Sequence, residues 1–148
     1  MTSELIGRTG TPFRVVVEEG KVREFARATD STNPDHLRDD APVSPLTFLI
    51  SSVFWQDQSS SVWAGVVRDY SRILHGGQSF TFHRPPPRAG EVLTGQQRIA
   101  DVYTKEGKRG GSMEFTEVVT EFRDPDGELV VEMTSTTIVT SVAPTQEG

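Results

Sequence analysis

The stretch ATDSTNPDHLRDDAP, residues 28–42, sets a carboxylate at Asp30 and an imidazole at His36 on either side of an Asn-Pro break. A carboxylate and an imidazole sharing one water can divide general base and general acid work. Histidine suits such work because its ordinary pKa of about 6.5 keeps both forms accessible near neutrality. The same residues also suit a plain solvated loop, since Asp30 and Asn33 carry short polar side chains that bond nearby backbone and stop helices.

The elements that must hold this loop are legible from patterning. In EEGKVREFARAT, Val22, Phe25 and Ala26 recur at helical spacing between charged residues, which predicts a short helix ending at the loop. After the loop, SPLTFLISSVFWQ predicts a second helix, with Ser44 able to cap and Pro45 suited to the first turn. Its apolar residues from Leu46 to Trp55 face nearly every direction, so burial on most sides is expected. QSFTFHRP alternates as a strand and stops at PPPRAGE, and three longer segments follow: EVLTGQQRIADVY, SMEFTEVVTEF and ELVVEMTSTTIVT. The turn-rich joints TKEGKRGG and DPDG predict an antiparallel meander, with TPFRVVVEE as an edge strand. The apolar phase switches between Phe115 and Val118, which predicts a bulge or strong curvature there. Together these give an α+β architecture, a curved antiparallel sheet wrapped around a central buried helix.

Composition limits the function. The chain of 148 residues has the size of one domain. A net charge of -6 and a pI near 5.0 argue against a nucleic-acid surface, which needs a concentrated positive field. With 34% hydrophobic residues and a mean hydropathy of -0.39, the composition is that of a soluble globular protein. No apolar run approaches the roughly 18 residues of a membrane span, and the start MTSELIGRTG lacks the order of a signal peptide. A cytoplasmic protein is expected. The lack of cysteine excludes thiolate chemistry and disulfides, and the scattered histidines predict no metal site.

VREFARATDSTNPDH, SPLTFL, LHGGQSFTFHRPPPRAGEVLTGQQRIADVY and DGELVVEMTSTTIV occur in this order, and through them the chain resembles the MaoC-like dehydratases and (R)-specific enoyl-CoA hydratases. The likeness is to their N-terminal dehydratase-type hot-dog domain, and NPDH and HRPPPRAGEVL are its most specific parts. It implies one MaoC-like domain over residues 1–148 that pairs as a homodimer or with another MaoC-like chain. The implied activity is hydration of a 2-enoyl thioester, or dehydration of a 3-hydroxyacyl thioester, on CoA or an acyl carrier. No cofactor is implied. The alternative is a non-catalytic subunit that shapes the acyl tunnel beside an active partner.

The family loop reads Asp, any residue, Asn, Pro, any residue, His. Asn33, Pro34 and His36 fall on it, Ser31 stands where the Asp belongs, and Asp30 lies one residue early. The implied roles are water activation by Asp30 and His36, loop ordering or water holding by Asn33 and Ser31, and polarisation of the thioester by the backbone amides of Leu46 and Thr47. Arg84 and Arg88 are candidates for the phosphates of CoA, since guanidinium binds phosphate in bidentate fashion. His75 and His83 also match family positions, His83 with a structural role as the stronger expectation, while Trp55 and Trp63 are expected in packing or interfaces. Only LRDDAPVS separates His36 from the second helix, shorter than the family's usual overhang, and DQSSSVWAGVVRDYSRI is the segment available to close the pocket instead.

Overall fold

Long alternating strands with one apolar face need a cover, and the chain supplies it from its first half. In the computed structural model, which describes residues 2–108 and 111–142, five strands form one antiparallel sheet: β1 (Phe13–Val16), β2 (Ile73–Phe82), β3 (Val92–Glu106), β4 (Ser112–Arg123) and β5 (Leu129–Thr140). Their spatial order is β1-β3-β4-β5-β2, so the expected meander β3-β4-β5 forms the middle and β1 and β2 are the edges. The helix α1 (Glu19–Ala28) and a 3-10 helix (Phe48–Trp55) complete the core.

The core gathers Phe13, Val15, Val17 and Leu93 from the β1–β3 side, Phe122 and Met133 from β4 and β5, and Val22 and Phe48 from the covering elements. Phe48 is 1% exposed and meets Phe25 of α1 edge-on at 5.7 Å between ring centroids. Burial of a side chain this size contributes about 1.5–3 kcal/mol. A smaller cluster of Val62, Ile99 and Val118 packs with Leu5 and Trp63 farther along the sheet.

Two expectations are corrected in detail. The phase switch in β4 is no bulge of that strand: Thr116, Val118, Thr120 and Phe122 alternate into the core without interruption, and Phe115 points to the other face, stacking on Tyr103 at 5.0 Å. The register shift sits opposite, in β3 between Ile99 and Asp101. The central helix is present but is a 3-10 helix of eight residues. With three residues per turn, positions i and i+3 line up. Leu49 and Ser52 are therefore buried on one ridge, whereas Leu46, Ile50, Val53 and Phe54 remain open at 61%, 43%, 60% and 81% exposure. An all-round apolar sequence here buries one side on its own sheet and leaves the other unpartnered.

No helix among the described residues is long and apolar enough to cross a membrane.

Candidate active-site loop and the neighbouring cavity

Helix α1 ends in a Schellman motif. The Ser31 amide donates to the Ala26 carbonyl at 2.8 Å and the Asp30 amide to the Arg27 carbonyl at 3.1 Å, the pattern that closes a helix through one left-handed residue. That residue is Asp30, with φ of 57°. Glycine is the usual occupant, and a short polar side chain tolerates the conformation. Asp30 is exposed, and its carboxylate has no hydrogen bond or ion pair among the described residues.

The Asn-Pro break then starts a short 3-10 turn, Pro34–His36, in which the Asn33 side chain accepts from the Asp35 amide at 3.0 Å. The Asn33 amide in turn donates to Ser31 Oγ at 3.3 Å. His36 Nδ1 lies 2.9 Å from the Val43 carbonyl oxygen. A carbonyl only accepts, so Nδ1 carries the proton and the neutral ring offers Nε2 as its basic nitrogen. Asn33 Nδ2 faces that nitrogen at 3.4 Å. The loop is further tied down where the Val43 amide donates to the Asp35 carbonyl at 2.9 Å, the Ser44 amide to the Pro87 carbonyl at 2.9 Å, and the Ala89 amide to the Pro42 carbonyl at 3.0 Å.

The structure thus brings Ser31, Asn33 and His36 together and leaves Asp30 outside their bonding. No carboxylate lies within ion-pair distance of His36 among the described residues; Asp39, the nearby acid that is paired, meets Arg23 at 3.4 Å. The Leu46 and Thr47 amides precede the 3-10 helix and have no backbone partner among the described residues, so they remain available to a carbonyl oxygen.

The two arginines proposed for phosphate differ from each other. Arg84 is already held, at 2.7 Å from Glu91 and 3.2 Å from Asp124. Arg88 is exposed and donates to the Ala41 carbonyl at 3.3 Å. His83 pairs with Glu132 at 2.7 Å, a structural contact between the end of β2 and β5, and His75 is exposed on the edge strand. Trp55 packs on Phe48 at 6.4 Å.

The segment that follows the 3-10 helix contains what sequence reasoning missed. It folds over the far end of that helix and lines a half-open cavity of about 570 Å³ with Val53, Gln56, Asp57, Trp63, Arg68 and Tyr70 among others. The Arg68 guanidinium lies 4.0 Å over the Trp63 ring and 5.8 Å from that of Tyr70. Burial pulls its pKa below the ordinary value, with Tyr70 acting in the opposite direction. An arginine flanked by two aromatics in WAGVVRDY is the signal sequence reading had available, but its spacing fits neither helix nor strand.

One antiparallel sheet with a short helix across it is the hot-dog fold, and comparison with solved structures agrees. The (R)-hydratase PhaJ1 from Pseudomonas aeruginosa superposes with a TM-score of 0.60 at 17% identity, covering 97% of this chain and 92% of that one. A chain of the HadBC (3R-hydroxyacyl-ACP dehydratase) complex from Mycobacterium tuberculosis gives a TM-score of 0.68 at 28% identity, covering 93% of this chain and 99% of that one. Among curated sequences, a UPF0336 protein from Clavibacter michiganensis subsp. michiganensis is 35% identical across 92% of this chain and 93% of its own length. The chain belongs to the family described as FAS1-like, dehydratase domain region, whose pattern matches residues 4–133.

Proposed function

We propose that the chain is the tunnel-shaping subunit of a heteromeric dehydratase acting on 3-hydroxyacyl thioesters, with the acid–base pair supplied by a second MaoC-like chain. The observation that carries this reading is the state of the loop. His36 is bonded through Nδ1 to Val43, its Nε2 faces an amide, and the displaced Asp30 serves as the left-handed residue that ends α1. Dehydration must remove a proton from C2 and deliver one to the departing C3 hydroxyl, leaving a 2-enoyl thioester and water. Two groups positioned on the reacting atoms are needed, and a displacement of about 1 Å can already be costly. A histidine without a carboxylate meets half of that need.

Partnership is supported by two surfaces. The open row Leu46, Ile50, Val53 and Phe54 is an apolar face of the kind that marks protein contacts. Strand β2 ends the sheet, with β5 as its one strand neighbour among the described residues, and such an open edge invites pairing. The HadBC relative is likewise part of a complex. In this arrangement the amides of Leu46 and Thr47 polarise the thioester carbonyl, and the thioester is carried on CoA or an acyl carrier in the cytoplasm.

A second reading, a self-sufficient hydratase, draws on the His36 tautomer, because Nε2 is the basic nitrogen and a substrate water can displace the 3.4 Å contact with Asn33. One experiment separates the two: assay enoyl thioester hydration by the purified chain alone and after co-expression with a MaoC-like chain that bears the complete Asp, Asn, Pro, His loop. The subunit reading expects activity only from the pair, unaffected by His36→Ala. Activity of the lone chain that His36→Ala removes would establish the second reading.

A further inference from the structure

The arginines of this chain divide sharply. Arg23, Arg72, Arg84 and Arg123 are each within ion-pair distance of a carboxylate. Arg14, Arg27, Arg38, Arg88 and Arg98 have no carboxylate partner among the described residues but are exposed, where water solvates the charge. Arg68 is half-buried and has neither a carboxylate nor a hydrogen-bond acceptor among the described residues. Its contacts are the faces of Trp63 and Tyr70. A guanidinium stacked by its face keeps its edge N–H donors free, and those donors match the oxygens of a carboxylate or phosphate. Withdrawing an unanswered charge from water is costly, so an arrangement that does so is suited to an external anion.

We propose that the cavity beside the far end of the Phe48–Trp55 helix binds a small organic oxyanion, carboxylate or phosphate, through the Arg68 guanidinium, with Trp63 and Val66 against the ligand's apolar body. The volume of about 570 Å³ lies within the roughly 300–1,000 Å³ of ordinary small-molecule sites. A second guanidinium reinforces the field: Arg8, half-buried and without a carboxylate among the described residues, donates to the carbonyl of Ala64, a wall residue. Asp57 is the carboxylate among the lining residues and is exposed, so its repulsion is screened by water. Gln56 is turned away, its amide donating to Gln97 at 2.9 Å. The cavity is distinct from the His36 loop. From Phe48 to Val53, the first residue of the helix that lines the cavity, the helix rises about 10 Å at roughly 2 Å per residue.

The oxyanion has two possible sources, the phosphate of a pantetheine-type carrier arm or the terminal carboxylate of a fatty ligand. Neither depends on whether this chain or a partner performs the dehydration. Isothermal titration of the full chain with coenzyme A against pantetheine, and with decanoate against decanol, distinguishes them. Binding of coenzyme A but not pantetheine identifies the phosphate, and binding of decanoate but not decanol identifies the carboxylate. In either case Arg68→Gln weakens binding at least roughly tenfold, as loss of charged hydrogen bonds predicts, and Arg68→Lys, which keeps the charge without the fork, falls between. Circular dichroism checks that the variants fold, and Arg68→Lys keeps the test decisive if Arg68→Gln does not. The proposal is overturned if neither anion binds at millimolar concentration, or if the folded variants bind as the wild type does.

Discussion

The loop from Asp30 to Val43 and the segment from Asp57 to Arg72 flank the same 3-10 helix and use similar residues, yet they treat their polar groups in opposite ways. In the loop the residues that match the family pattern are answered internally: Ser31 by Ala26, Asn33 by Asp35, and His36 by Val43 and Asn33. In the segment a cation is stacked on an indole and given no anion. Internal satisfaction rigidifies a loop, and an unanswered charge beside a cavity is where an external group has most to offer. On the reading proposed above, the loop serves as scaffold, and an anion is bound at the other end of the helix.

The largest test of this contrast is Phe48→Ala, since Phe48 meets Phe25 on the loop side and Trp55 on the cavity side. The substitution is expected to cost about 3–5 kcal/mol in chemical denaturation and to weaken both regions together. A loss confined to one region would mean that they are anchored separately.

Asp30→Gly is expected to act more gently and in the opposite direction. Glycine adopts the left-handed conformation without the Cβ penalty, so stability rises by at most about 1 kcal/mol, measured as a shift in thermal midpoint. The assembled enzyme's rate is expected to stay unchanged. A rate loss with intact folding would return Asp30 to catalysis.

The smallest effect concerns Asp69, which accepts from the Ser71 hydroxyl at 2.6 Å, the Ser71 amide at 3.1 Å and Arg72 Nε at 3.1 Å. These contacts, the Ser71 hydroxyl foremost, hold its carboxyl pKa below the usual value. A depressed pKa stabilises the fold while the group is ionised, and that contribution is lost as pH falls through the lowered value. Asp69→Asn is expected to lower the thermal midpoint slightly at pH near 7 and to make no difference once the pH lies well below the lowered pKa. A difference that persists in acid would assign the residue's effect to packing instead.

Much of this was legible in the sequence because it rests on local rules. The meander, the edge strand β1 and helix α1 follow from alternation, turn residues and helical spacing, and Asn33 and Pro34 announce a turn in any context. What escaped depends on position along the backbone or on distant contacts. Asp30 reads as one half of a catalytic pair in the sequence, which does not reveal that it also occupies the left-handed position glycine usually takes at the end of α1. The 3-10 winding of Phe48–Trp55 turns a sequence that reads as buried all round into one buried ridge and one open face. Arg84 looked free because its partners Glu91 and Asp124 are brought to it only by the sheet. Arg68 drew no notice because the cavity it serves is made by residues that share no pattern.

The central claim is that this chain shapes the site without performing the acid–base chemistry, and the most direct measurement is the hydration rate of a 2-enoyl thioester by the heteromer carrying His36→Ala. The account predicts the wild-type rate, with activity lost instead when the equivalent histidine of the partner is changed. Loss of activity on His36→Ala in a correctly folded and assembled enzyme would contradict it.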